Sequence, residues 1–184
     1  MSLKELTAEK HKLAETTPFM KAVFARTLPF ELWIDWTYQK ALFYHVLEGI
    51  AGSRLLLTDL PDIRRGYKLQ QDYQQMLNGA PFTHLHKKSV LDYHSYLLSL
   101  TETKDVMAHL YTWHMGDLYG GQMIKKIVNA PHSSLDFADP LTLMTNMRAK
   151  LDDSMGAEAN RAFDWAIRMM REYDSSLEQD TAVG

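Results

Sequence analysis

Gly116-Asp117-Leu118-Tyr119-Gly120-Gly121-Gln122 sets a single carboxylate, Asp117, among three glycines. The surrounding pattern, about 104–128, predicts one long helix. Each glycine weakens a helix interior by roughly 0.5–1 kcal/mol relative to alanine. Such a weak spot is kept where a helix must bend, or where something comes very close to its backbone. A flat ligand lying across the helix would require both, and Asp117 would then stand beside it. The competing reading of the glycines is a close helix–helix crossing.

A second group lies near the N-terminus. At 100° per residue, Lys4, His11 and Glu15 fall within about 40° of one another on a helix. Leu3, Leu6 and Leu13 form an expected core stripe about 80° wide, with Thr7 and Ala14 between the two groups. Glu15 is one turn past His11 and can reach its ring nitrogen. A neutral imidazole can ligate haem iron, a carboxylate can orient its other N–H, and a lysine can meet a propionate. Such triplets are common on helices, and alone this one reads first as a surface histidine among ordinary charges.

The remaining histidines suggest less. His84 and His86 lie two residues apart, which splits them between helix faces, and they fit a loop near Pro81. His45, His94, His109 and His114 stand among apolar residues and read as buried or half-buried histidines with satisfied rings. No histidine has a glutamate three residues before it, so the paired E-x-x-H motifs of a di-iron bundle are missing.

These groups must be held by helices. Ser2 and Glu5 form a capping box opening a helix to about residue 15, and Pro18 suits a first helical position. Further helices fit 30–56, 69–77, 88–100, 104–128, 140–154 and 157–173. The aromatic run Phe30, Trp33, Trp36, Tyr38, Phe43 and Tyr44 reads as core. No hairpin signal, repeat or linker appears. The expectation is all-α: a single compact multi-helix domain of about eight helices over residues 1–184, with a poorly ordered tail from about 175.

Composition narrows the chemistry. The 184 residues are 46% hydrophobic, carry a net charge of −3 and include no cysteine. Thiolate metal sites, cysteine nucleophiles and disulfides are thereby excluded. The charge gives no general field for nucleic acid. No apolar run approaches the roughly 18 residues of a membrane span, and no signal peptide opens the chain. The chain reads as soluble and cytoplasmic.

The segment Tyr111-Thr112-Trp113-His114-Met115-Gly116-Asp117-Leu118-Tyr119-Gly120-Gly121-Gln122 resembles the distal-helix signature of the haem (heme) oxygenase family. Thr7-Ala8-Glu9-Lys10-His11-Lys12-Leu13-Ala14-Glu15, followed by Phe19-Met20, resembles its proximal-histidine segment. The likeness runs over about residues 1–175. It implies the family's fold and the conversion of haem b, both substrate and prosthetic group, to biliverdin, CO and free iron, using O₂. Electrons would come from a donor such as ferredoxin; no flavin or nucleotide is implied. It implies His11 as proximal iron ligand and Glu15 as its partner. It also implies Asp117, Gly116 and Gly120 as catalytic, and Lys4, Tyr111, Gly121 and Arg148 as haem contacts. Lys10, Lys12, Lys125 and Lys126 could meet an acidic donor. Tyr119 and Met144 depart from the family pattern. A haem carrier that does not turn over, and a helical interaction protein, are the alternatives. A monomer and a weak dimer both remain open.

Overall fold

The computed structural model describes residues 1–182. Residues 183 and 184, at the end of the expected tail, lie outside the described residues. Among the described residues there is no strand, and no helix is long and apolar enough to cross a membrane.

Local signals explain the first two helices. In α1 (Leu3–Glu15) the Ser2 hydroxyl accepts from the Glu5 amide, and the Glu5 carboxylate accepts from Ser2 N at 2.7 Å. In α2 (Pro18–Phe24) proline takes the first position and the Thr17 hydroxyl accepts from Met20 N. Helix α3 (Phe30–Ser53) is the central rod. Trp36, Phe43, Tyr44, Leu47 and Ala51 are all buried along it, and α4 (Gly66–Leu77), α5 (Lys88–Ser99) and α6 (Thr103–Leu110) pack around it.

Helix α4 begins three residues before the expected start. Its cap is supplied from a distance: Glu48 of α3 accepts from the amides of Arg65 (2.5 Å) and Gly66 (3.2 Å). No local capping residue announces that start.

The expected long helix over 104–128 is a bent rod. After α6 the backbone passes through a π-helical turn at Tyr111–Met115, then α7 (Gly116–Tyr119) and, past Gly120, α8 (Gly121–Ile127). A π turn opens the hydrogen-bond ladder by one residue and occurs often at functional sites. Here the Thr112 hydroxyl donates to Ala108 O at 3.0 Å and to Ala159 O at 3.4 Å, tying the turn to the neighbouring helix. The chain continues through α9 (Pro140–Ala149), α10 (Gly156–Arg171) and α11 (Asp174–Ala182). With α6–α8 taken as one rod, nine helical rods make up the described residues.

Helix α1 lies along α10, and this corrects the expected core stripe. Leu3 is buried, but Leu13 is 46% exposed, while Thr7 and Ala14 are buried instead. The small side chains let the two helices approach closely. A Cβ on Gly156 would come within 2.9 Å of Leu6, and Asn160 donates to Leu6 O. The Thr7 hydroxyl can be buried because it donates to Leu3 O at 2.9 Å.

Candidate functional site

The two sequence groups meet in one cavity of about 210 Å³. His11 and Glu15 come from α1, and Gly116, Asp117, Gly120 and Gly121 from the bent rod. Trp33, Trp36 and Lys40 of α3 and Phe163, Ala166 and Met170 of α10 complete the largely apolar wall.

The His11 ring stands edge-on to Phe163, with centroids 5.6 Å apart. Its Nδ1 is 3.6 Å from a Glu15 carboxylate oxygen, too long for a direct hydrogen bond. The arrangement leaves Nε2 to serve as a ligand atom.

The glycines differ from one another. A Cβ on Gly116 would meet nothing within 4 Å, so this backbone faces open space in the cavity wall. A Cβ on Gly120 would meet the carbonyl of Gly116 at 3.0 Å. On Gly121 it would come within 2.8 Å of Leu135, so that residue also permits close packing of the loop after α8.

Asp117 is buried and doubly held. Lys40 Nζ lies 2.7 Å from one carboxylate oxygen, and the Tyr44 hydroxyl donates to the other at 2.5 Å. Burial, with the Asp117 charge beside it, pushes the Tyr44 phenol well above its usual range, so it remains a donor. The aromatic run of α3 is thus partly cavity wall: Trp33 and Trp36 line it, while Tyr38, Phe43 and Tyr44 are buried and Phe30 is half exposed.

Nothing in the sequence analysis singles out Lys40, and Tyr44 enters it only as a core aromatic. A signal existed: Lys40 is the lone Asp, Glu, Lys or Arg between Asp35 and Glu48, one helical turn before Tyr44. Lys4, Tyr111 and Arg148 do not line the cavity. Lys4 and Arg148 are exposed, and Arg148 donates to the Tyr119 hydroxyl at 2.6 Å. The unusual Tyr119 therefore holds the arginine on the outer side of the bend. Of the other cations, Lys10 pairs with Asp164 and Lys125 with Asp136, while Lys12 and Lys126 are exposed.

The remaining histidines meet the expectation of buried, satisfied rings only in part: His45 is exposed, and His94 and His114 each keep a buried ring nitrogen without a partner. His84 and His86 lie in the loop before α5, and His109 and His114 are buried against Glu158 and Glu48. His45 reaches Gln70, and the unpartnered nitrogens are His94 Nε2 and His114 Nδ1. No group of three metal-ligating side chains forms among the described residues.

A histidine and a side-chain-free bend share one largely apolar cavity, and the comparisons with known proteins show which family the chain belongs to. The heme oxygenase family model matches residues 1–144. The chain belongs to the haem oxygenase family. A heme oxygenase of Porphyra purpurea is 25% identical over 213 residues, covering 95% of this chain and 86% of its own. One from Rhodella violacea is 22% identical, covering 100% of this chain and 90% of its own. Among solved structures, heme oxygenase-1 from the cyanobacterium Synechocystis, in complex with heme, superimposes with a TM-score of 0.86 at 22% identity. That match covers 98% of this chain and 94% of the other, and shows that the all-α arrangement is the haem oxygenase fold.

Proposed function

We propose that this haem oxygenase binds haem in the cavity between α1 and the bent rod and cleaves it oxidatively to biliverdin, CO and iron. The observation that carries the reading is that His11 and the Gly116–Gly120 bend line the same apolar cavity, with the buried Asp117 at its wall.

Haem, the substrate, supplies the iron that binds O₂ and the carbon bridge that is cut. His11 Nε2 would ligate that iron, while Glu15, 3.6 Å from Nδ1, would orient the ring through a bridging water and so fix the tautomer. Gly116 and Gly120 carry no side chain, so backbone can approach the far face and confine a small ligand toward one edge. Gly121 lets the bend pack tightly on Leu135 behind it. Asp117, held by Lys40 and Tyr44, would move a proton through water rather than by direct contact with the iron. By the family likeness Lys4, Tyr111 and Arg148 would contact the propionates, which would have to extend past the cavity lining, and Arg148 would have to leave the Tyr119 hydroxyl that now holds it.

Electrons would come from a small acidic donor such as ferredoxin docking on a face that includes the exposed Lys12 and Lys126. Residues 1–184 would act as one unit, because α1 and α10 pack together from opposite ends of the sequence; its compartment would be the cytoplasm.

Addition of hemin, reductant and O₂ tests the reading. Bleaching of a sharp Soret band with appearance of a green bilin is expected. A Soret band that survives would indicate a carrier, and no Soret band would overturn haem binding altogether.

A further inference from the structure

Behind the cavity wall runs a buried hydrogen-bond chain that the haem site does not use. Trp113, which lines the cavity, donates from Nε1 to the Tyr93 hydroxyl at 2.9 Å. The Tyr93 hydroxyl lies 2.6 Å from His109 Nδ1, and His109 Nε2 lies 2.9 Å from a Glu158 carboxylate oxygen. Tyr93 and His109 are fully buried.

With His109 a neutral imidazole, the donor inventory sets the direction of this chain. Indole can only donate, so the phenol oxygen accepts from Trp113 and turns its own hydrogen to His109 Nδ1. That places the imidazole hydrogen on Nε2, where Glu158 accepts it. Burial alone would raise the Glu158 carboxyl. Hydrogen bonds from His109 and Tyr96, with charge from Arg161, outweigh it and keep the group below its usual range. Glu158 thus stays an acceptor.

The rings form a file. Trp113 and Tyr93 have centroids 6.3 Å apart, Tyr93 and Trp165 5.3 Å, and Trp165 and Tyr96 5.6 Å. At the outer end the half-exposed Arg168 lies 5.1 Å over Trp165, and the exposed Arg161 bonds Tyr96 and Glu158. Tyr93 therefore stands between the cavity wall and the α5–α10 surface.

A buried phenol loses an electron easily only if its proton has somewhere to go, because a phenol radical cation is a very strong acid. An imidazole in hydrogen-bond contact takes the proton over a short distance, and a carboxylate behind it stabilises the imidazolium. We propose that Tyr93 is a redox-active tyrosine, a one-electron relay between the cavity wall and the surface. It gives one electron to a high-potential transition-metal complex, such as a ruthenium(III) polypyridyl, acting through Trp113 or Trp165; the complex is thereby reduced by one electron. Its O–H bond breaks, an N–H bond forms at His109 Nδ1, and a neutral tyrosyl radical faces an imidazolium paired with Glu158. A one-electron reductant reverses both movements.

Other phenols lack this combination. Tyr44 and Tyr173 donate to carboxylates directly. Tyr73 meets His84 Nδ1 at 2.7 Å, but His84 is half-buried in the loop before α5.

The test uses the full chain without haem, so its failure leaves the reading of the cavity untouched. The sequence has no cysteine, so Arg168→Cys gives a single attachment point for a ruthenium photo-oxidant beside Trp165. After a flash with an oxidative quencher, a tyrosyl radical is expected by transient absorption and electron paramagnetic resonance. Its yield should fall about tenfold with Tyr93→Phe and stay unchanged with Tyr73→Phe. With Tyr93 intact, deuterated buffer should slow its formation, and His109→Phe should lower the yield several-fold in chains whose circular dichroism matches the parent. An equal radical yield in Tyr93→Phe, or formation indifferent to both deuterium and His109→Phe, would overturn the proposal.

Discussion

Lys40 Nζ and Asp117 Oδ1 lie 2.7 Å apart, joining residues 77 positions apart in sequence, with each side chain only 11% exposed. The pair clamps α7 to the central helix at the cavity. Its desolvated position makes each partner depend on the other. Removing one leaves a poorly solvated charge, at a cost of about 3–5 kcal/mol where burial is complete. A double-mutant cycle with Lys40→Met and Asp117→Asn, measured by urea unfolding, should return a coupling of about 1–3 kcal/mol. A coupling near zero would mean that Tyr44 alone holds the carboxylate.

The same substitution should act with opposite sign at two neighbouring glycines. At Gly116 a methyl group enters open space, so Gly116→Ala should stabilise the haem-free chain by about 0.5–1 kcal/mol through helix propensity alone. It should also weaken hemin binding, because the methyl occupies the cavity. At Gly121 the methyl meets Leu135 at 2.8 Å, and Gly121→Ala should cost about 1–3 kcal/mol through overpacking. Thermal melts of both variants and a hemin titration of the first decide this. Destabilisation by Gly116→Ala would mean that its surroundings are closed.

These contrasts mark what the sequence could disclose. Ser2 with Glu5, and Thr17 with Pro18, signalled α1 and α2 because their caps are local. The start of α4 was hidden because its cap, Glu48, lies on another helix. The bend in the 104–128 rod was legible from glycines, but its π turn lies just before them, at Tyr111–Met115, where no residue type announces it. Leu13 was misread as core because periodicity ranks apolar residues and does not register a face of small ones. Of the site, Asp117 was legible, whereas Lys40 showed only as a lone charge in an otherwise uncharged stretch, and nothing local tells that it pairs across 77 residues.

Asp117→Ala separates binding from turnover. The carboxylate sits at the wall, held by Lys40 and Tyr44, and contributes little apolar surface to the cavity. Hemin affinity should stay within several-fold, while bilin formation should fall by about 10²–10⁴, the usual contribution of a positioned acid–base group. A Soret titration and the bilin absorbance give the two quantities separately. Unchanged bilin yield would remove Asp117 from the chemistry.

Acid sensitivity should be traceable to Glu48. Burial by itself would raise its carboxyl, but the His114 hydrogen bond and charge, then the Arg65 and Gly66 amides, outweigh burial and hold it below the usual 4.5. A folded pKa below the unfolded one means that the stabilisation is fully present above about pH 4.5 and is lost as pH falls through the lower folded value. Glu48→Gln should lower stability at neutral pH by about 3 kcal/mol, because the buried His114 and the start of α4 lose their charged acceptor. It should also flatten the acid limb. Glu158, lowered in the same direction, keeps some slope in the variant. Melting temperature recorded from neutral pH down to about pH 3 tests both effects, and a variant whose acid limb is as steep as the parent's would place the titrating group elsewhere.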